Sequence, residues 1–348
     1  MGAERRPGQL SAGCVPRLFP LRILGSALLQ PVQVIANPHS AGGRGGRVLP
    51  QLERRMEEEG LEFSVARTEA PGHARSLARA AAEEGVGRLL VVGGDGTIHE
   101  VASGLLRGRE AAHASSGAGL PAIAVLPVGT GNDFHRMVRS SKGIDAAVRL
   151  LREGVPRSFE VGVARWEGGQ DSFVNLLGVG VDVEVLRWRP TFSRLPGLLQ
   201  YLGALVGALG TYRAIPLHIT LLDGKGESEV VEAPVLLSAL TVGPSIGGGF
   251  LLSPEARPDD GLLDLFLVEK LGLLKVARYL PGVLRGRLGN RPEVHRKQVA
   301  ALRIRTSDDR PFFFELDGEV MTEETHFLDV EVRPGQLRIL ELPAGSRD

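Results

Sequence analysis

Three short stretches carry the residue types that handle phosphate. They are Asn37-Pro38-His39-Ser40-Ala41 with Gly42 and Gly43 behind it, Gly93-Gly94-Asp95-Gly96-Thr97-Ile98-His99-Glu100, and Pro127-Val128-Gly129-Thr130-Gly131-Asn132-Asp133-Phe134. Glycines let a backbone approach a ligand closely, and the free N–H groups of a first helical turn point at an anion. Asn37, Thr97, Thr130 and Asn132 add neutral donors, so such loops can cradle a nucleotide triphosphate. Asp95 is odd in that recipe, because a carboxylate beside a polyphosphate is repelled. It calls for a Mg²⁺ ion between the two, or for a hydroxyl partner in place of a phosphate; both readings stand. Asp133 adds a second carboxylate, for which an N-cap on the following helix is a local role.

Other phosphate and nucleophile motifs are missing. The chain has no Gly-x-x-x-x-Gly-Lys-Ser/Thr loop, no Gly-x-Gly-x-x-Gly after its first strand and no Gly-x-Ser-x-Gly elbow. P-loop, dinucleotide-fingerprint and serine-hydrolase readings therefore lose their support. Lys and Arg (41) balance Asp and Glu (41), so no global field favours nucleic acid. Aromatics at 5% leave little for stacking bases, and one cysteine, Cys14, excludes a disulfide framework. The expectation is a cytoplasmic enzyme with no nucleic-acid partner.

The elements that must position these loops read as alternating strands and helices. Strands are predicted at 31–36, 61–68, 88–92 and 122–126, and helices at 48–60, 72–84 and 97–106, with a small-residue loop at 111–119. That order implies a parallel sheet with helices on both faces, with the glycine-bearing loops at carboxyl ends of strands, where open α/β sheets bind ligands. After about residue 157 short segments take over, at 159–166, 171–177, 217–222, 230–242, 262–268, 300–305, 312–316, 326–332 and 337–342. Turns such as Glu167-Gly168-Gly169 and Asp223-Gly224 separate them, which describes an antiparallel β-rich domain. Helical intervals at 195–212 and 271–288 interrupt it. The expected division is a poorly ordered leader at 1–30, a nucleotide-binding α/β domain at 31–157, a β-sandwich lipid-binding domain at 158–335 and a closing strand in 336–348 that can return to the first domain.

Taken together, these motifs resemble the diacylglycerol kinase catalytic-domain family, which includes bacterial lipid kinases and, more distantly, sphingosine kinases. Gly178-x-Gly180-x-Asp182, Gly247-Gly248-Gly249, the run from Pro254 to Asp264 and Asp317-Gly318-Glu319 continue the likeness, which covers about residues 31 to 342. Gly-Gly-Asp-Gly-Thr alone is shared with phosphofructokinases and NAD kinases, but those lack the third loop and the Asp-Asp-Gly run. The resemblance implies transfer of the γ-phosphoryl group of ATP to a lipid hydroxyl, with an NAD kinase- or phosphofructokinase-like small-molecule kinase, or a non-catalytic lipid-binding scaffold, as rivals.

In that reading residues 37–41, Thr68, 93–100, Gly129, Thr130, Asn132 and Asp133 contact the nucleotide. The family's base lies in the Asp-Gly-Glu motif, so Asp317 and Glu319 are candidates beside Asp95, with Glu319 favoured. Locally Asp317-Gly318 is equally a simple hairpin turn. His99 is read as a loop–helix hydrogen-bonding residue. A structural Mg²⁺ is implied at the Asp260 side chain and the carbonyls of Arg257 and Leu262, where the plain alternative is a turn. The apolar interval 195–212 is either core or a wall of the acyl-chain cleft. The interval 269–297, with Lys270, Lys275, Arg278, Arg285 and Arg287 among leucines, is either a solvated basic face or a peripheral contact with the inner face of a membrane.

Overall fold

The computed structural model describes residues 31–112, 119–138, 140–195, 197–222, 228–343 and 345. The expected leader, most of the small-residue loop, the Asp223-Gly224 turn and the last few residues of the closing segment lie outside them. The first lobe runs β1 (Val32–Ala36), α1 (Ser40–Glu58), β2 (Phe63–Arg67), α2 (His73–Glu83), β3 (Arg88–Gly93), α3 (Asp95–Ala112) and β4 (Ala122–Pro127). Its strands pair in parallel in the order β2-β1-β3-β4. Strand β3 is apolar throughout because both of its faces are covered. Leu89 and Val91 enter the core that includes Ala78 and Leu105 of α2 and α3, while Leu90 and Val92 meet Leu52 of α1 and Leu151 of α4 (Ile144–Glu153). Helix α4 is absent from the predicted elements.

The second lobe is mainly antiparallel. It comprises β5 (Val155–Trp166), β6 (Gly169–Phe173), β7 (Leu176–Gly180), α5 (Val181–Trp188), α6 (Gly197–Thr211), β8 (Ile215–Leu222), β9 (Ser228–Thr241) and β10 (Leu263–Glu269). Beyond these lie α7 (Leu273–Leu284), β11 (Val294–Val299), β12 (Ala301–Thr306), β13 (Phe314–Leu316), β14 (Glu319–Val320) and β15 (Phe327–Glu341). The predicted segment 171–177 is two strands, β6 and β7, separated at Val174 and Asn175. Segments 326–332 and 337–342 are one strand, because Pro334-Gly335-Gln336 forms an irregularity inside β15, with Gly335 at φ 63°, and no chain-reversing turn.

That irregularity joins the lobes. The first half of β15 pairs with β12, and its second half lies parallel to β4 through Arg338↔Ala122 and Ile339↔Ile123. Strand β5 follows β15 on both sides of the bend, so both lobes share one hydrogen-bonded sheet.

Candidate active site

Strands β3 and β4 end side by side, and glycine alone permits the approach of the loops behind them. A Cβ on Gly129 would lie 2.5 Å from the Gly94 Cα, and one on Gly94 would lie 3.0 Å from the Gly129 Cα. Any larger side chain would force the two loops apart. Asn37 Nδ2 donates to Thr97 Oγ1 at 3.2 Å and ties the first loop to the second. Ala41 and Asn132 are left-handed, at φ 47° and 53°, a conformation that L residues hold only with local support. Asn132 finds that support in a 2.7 Å bond from its Nδ2 to the Gly129 carbonyl.

These loops wall a polar cavity of about 580 Å³, a size that suits a small-molecule ligand. Asn37, His39, Ser40, Ala41, Thr68, Gly94, Asp95, Gly96, Thr97, Glu100, Gly129 and Thr130 line it from the first lobe, and Asp317, Gly318 and Glu319 from the second. Six other residues expected at the nucleotide lie outside this lining, each for a visible reason. The helix starts at Asp95, two residues earlier than predicted, so Gly93 ends β3 and Ile98 points into the core, 3% exposed. His99 is buried against Asp317. The Pro38 carbonyl accepts the Gly46 N–H. Asn132 is occupied as above, and Asp133 accepts Ser245 Oγ at 2.8 Å and the Gly248 N–H at 2.7 Å, fastening its loop to the second lobe. Glu100 reaches the cavity, but its two oxygens accept the N–H groups of Gly72 and Ala74 and so cap α2.

Asp317 (φ 49°) and Gly318 (φ 92°), both left-handed, form the two-residue turn between β13 and β14, and Glu319 opens β14 opposite Leu316. Asp317 is fully engaged. Its Oδ1 accepts the N–H groups of Asn175 and Leu176, and its Oδ2 accepts the Val174 N–H and His99 Nδ1, all at 2.8 Å. Burial alone would push the His99 imidazole toward neutrality. The Asp317 hydrogen bond and the charges of Asp317, Glu319 and Asp171 outweigh that effect and hold its pKa above the ordinary 6.5. Asp317→Asn is expected to destabilise the protein by about 2–4 kcal/mol in urea unfolding, since a buried donor set loses its anion. Glu319 differs. It is exposed, its carboxylate has no hydrogen-bond partner among the described residues, and its Oε1 hangs 4.0 Å from where a Cβ on Gly96 would sit.

A second cavity of about 190 Å³ is almost wholly apolar and lies in the second lobe. Tyr201, Leu205 and Leu209 line it from one face of α6, at the spacing that stacks side chains on a helix. Val276, Leu280 and Val283 of α7 face them. Asp95, Tyr201, Asp317 and Gly318 border both cavities. Asp95 accepts the Phe134 N–H at 3.0 Å through Oδ1. Burial, and then the charge of Asp133, raise its pKa above the usual carboxylate range.

Sequence reasoning misses Glu69, Ala70, Pro71, Ala74 and Gly131 in the first lobe, which flank predicted positions, and Arg189 and Tyr201 in the second. The Arg189 guanidinium lies 4.6 Å from the centre of the Tyr201 ring, and both line the polar cavity. Neither sits in a glycine loop, and the signal for them, an arginine just past α5 and a tyrosine in an apolar helix, is too common to single out.

Residues 257–262 line neither cavity. The Leu262 N–H bonds to Asp260 Oδ1 at 3.1 Å and the Gly261 N–H to Glu160 Oε2 at 2.7 Å. Glu160 Oε1 and Asp264 Oδ2 are buried without hydrogen-bond partners. Burial, and then mutual carboxylate repulsion, push Asp264 up to about 6; burial and neighbouring acids likewise push Glu160 up to about 7. No three acidic, histidine or cysteine side chains among the described residues close on a metal-sized point. A cation here would rest on the single Asp260 carboxylate with main-chain carbonyls and water, an all-oxygen set that suits Mg²⁺.

An α/β lobe with glycine loops at its strand ends, closed by an acidic hairpin from a β lobe, defines a kinase architecture. The sequence matches the diacylglycerol kinase catalytic domain over residues 31–164 and the YegS C-terminal NAD kinase beta sandwich-like domain over 175–341, so the chain belongs to the diacylglycerol kinase catalytic-domain family and is an enzyme. It is 31% identical over 302 residues to a protein of Chromohalobacter salexigens named "probable lipid kinase YegS-like", covering 86% of this chain and 90% of that one. It is 29% identical over 295 residues to a diacylglycerol kinase of Bacillus subtilis, covering 84% and 90%. The crystal structure of a diacylglycerol kinase from Bacillus anthracis superposes with a TM-score of 0.63 at 20% identity, over 92% of this chain and 100% of that one, a likeness of fold. The family implies ATP as phosphoryl donor.

Proposed function

We propose that this protein transfers the γ-phosphoryl group of ATP to a hydroxyl of a lipid, diacylglycerol or a related glycerolipid or sphingoid base. The observation that carries this reading is the common wall: a polar cavity floored by glycine loops meets an apolar cavity at Asp95, Tyr201, Asp317 and Gly318. A triphosphate fits the first and an acyl chain the second, which sets a hydroxyl between them at the reacting phosphorus.

The backbone N–H groups of Ala41 and of residues 94–97, with the Ser40, Thr97 and Thr130 hydroxyls, hold the phosphates. The His39 and Ser40 N–H groups bond to Asn37 and shape the first loop, and Arg189 adds a cation from the second lobe. Asp95, whose charge has no cationic partner among the described residues, would hold a Mg²⁺ ion, which when bound would supply positive charge against the phosphate oxygens. Asp133 is held by Ser245 and Gly248 and acts as a fastening. Glu319 takes the hydroxyl proton as the new O–P bond forms. The bond from the γ-phosphorus to the β–γ bridging oxygen breaks, and ADP leaves.

Purified protein with Mg²⁺, labelled ATP and a panel of diacylglycerol, monoacylglycerol, sphingosine, NAD and fructose 6-phosphate is expected to place label on a lipid. Label on NAD or the sugar phosphate in place of every lipid would sink the reading.

Asp260, with carbonyls of Arg257 and Leu262, is proposed to hold the second Mg²⁺. The folded carboxyls of Glu160 and Asp264 bind protons more tightly than in the unfolded chain. Without a cation, stability is therefore expected to fall as pH rises from about 4 to about 7. At pH 8, Mg²⁺ is expected to raise the calorimetric Tm by roughly 2–4 °C, and to do so far less in Asp260→Ala.

A further inference from the structure

Helix α7 has two unlike faces, and only one of them is accounted for. Val276, Leu280 and Val283 line the apolar cavity, yet no residue of the helix is fully buried. On its outer side Leu274 is 89% exposed, and Leu273, at the open end of the face that carries Val276 and Leu280, is 63% exposed. Across the cavity, α6 likewise leaves Val206 at 74% and Leu199 at 54%. Exposed leucines scattered singly need no explanation, but adjacent ones at the leading turn of a barely anchored helix do.

The charges around this turn are of one sign. Lys270, Arg278, Arg285 and Arg287 are exposed and have no ion-pair partner among the described residues. Lys275 is paired with Glu293, which also accepts the Tyr279 hydroxyl, and Glu269 is paired with His295. Glu293 is thus neutralised by Lys275 and Glu269 is held by the His295 imidazole, and unpaired basic residues surround two exposed leucines. This combination suits an anionic bilayer, which takes apolar side chains below its head groups and attracts basic residues above them.

We infer that α7 is the membrane-docking element of this protein. Leu273 and Leu274 insert into an anionic leaflet, and Lys270, Arg278, Arg285 and Arg287 sit at its head groups. This rests on the proposed lipid acceptor. A long-chain acceptor is scarcely soluble and must be drawn from a bilayer, and α7 places the cavity's apolar lining directly behind the inserted leucines. No helix among the described residues is long and apolar enough to cross a membrane, so contact through this helix is confined to the surface.

The test uses vesicles of phosphatidylcholine alone and of equal parts phosphatidylcholine and phosphatidylglycerol, read by co-sedimentation. Wild-type protein is expected on the anionic vesicles and not on the neutral ones. The double variant Leu273→Asp, Leu274→Asp is expected to lower the partition coefficient at least about tenfold. Lys270→Glu with Arg278→Glu is expected to do the same and to flatten the salt dependence. None of these side chains lines the cavity, so turnover of a short-chain, water-soluble diacylglycerol without vesicles is expected to stay at the wild-type level. Leu274→Trp is expected to show a blue-shifted emission when anionic vesicles are added. Vesicle binding needs no turnover, so its failure is separable from failure of the kinase reading. Variants that sediment like wild type, a wild type that ignores anionic vesicles, or self-association of the chain that Leu274→Asp abolishes would each overturn the proposal.

Discussion

Glu319→Gln is expected to lower kcat by about 10²–10⁴-fold while leaving the Kd for ATP nearly unchanged. Glutamine keeps the size and reach of the side chain but cannot take a proton. Glu319 is the carboxylate at the hairpin whose oxygens are uncommitted, and it overhangs Gly96 at the start of α3, where the donor loops converge. Asp317 cannot share that role easily, because four donors already occupy its two oxygens. Single-turnover measurements, with nucleotide binding read separately, distinguish loss of proton transfer from loss of affinity. The paired control is Asp317→Asn, which should lose stability. A Glu319→Gln enzyme with intact turnover, beside a stable but inactive Asp317→Asn, would exchange the two roles.

The same hairpin illustrates what can be read from sequence and what cannot. Asp317-Gly318 announces a tight turn, and the structure contains that turn as well as an anion bound by Val174, Asn175 and Leu176, about a hundred and forty residues away in sequence. Local chemistry shows in a string of residues; the partner of a buried carboxylate does not. The three glycine loops are legible for the first reason. Leu89 to Val92 form an apolar run with turn residues behind it, and such a run between helices has few other uses than a parallel strand. Sequence reasoning starts α3 at Thr97 because Gly94 and Gly96 look like loop, yet Asp95 can begin a helix and the glycines tolerate it. That shift turns Ile98 and His99 away from the cavity. Helix α4 escapes notice although Ile144, Val148 and Leu151 lie at helical spacing, since no distinct capping residue marks its start after the third loop. Strand β15 reads as two segments divided at Pro334-Gly335, because a proline–glycine pair suggests a reversal and only strand β5, pairing on both sides, shows it to be a bend. Arg189 and Tyr201 have no local signature, because their position depends on how one lobe closes on the other.

Asp95→Asn is expected to abolish turnover, by about 10³-fold or more, while leaving the protein more stable. Asp95 lies at the border of both cavities, where its anion meets no cation among the described residues and stands near that of Asp133. Its pKa in the folded state is above the ordinary carboxylate value, so folding binds a proton that the unfolded chain releases. Stability therefore falls as pH rises from the ordinary value of 3.8 through the raised one, and in its ionised form the side chain is a net liability. Asparagine keeps an oxygen to accept the Phe134 N–H at 3.0 Å and removes the charge. Its Tm at pH 7.5 without Mg²⁺ should rise by a few degrees, and added Mg²⁺ should stabilise the variant less than the wild type. A site that stores repulsion for a ligand to relieve gives this pairing of lost activity with gained stability. An Asn variant that retained more than about a tenth of wild-type kcat, or that melted earlier than wild type at every pH, would remove Asp95 from the centre of the reaction.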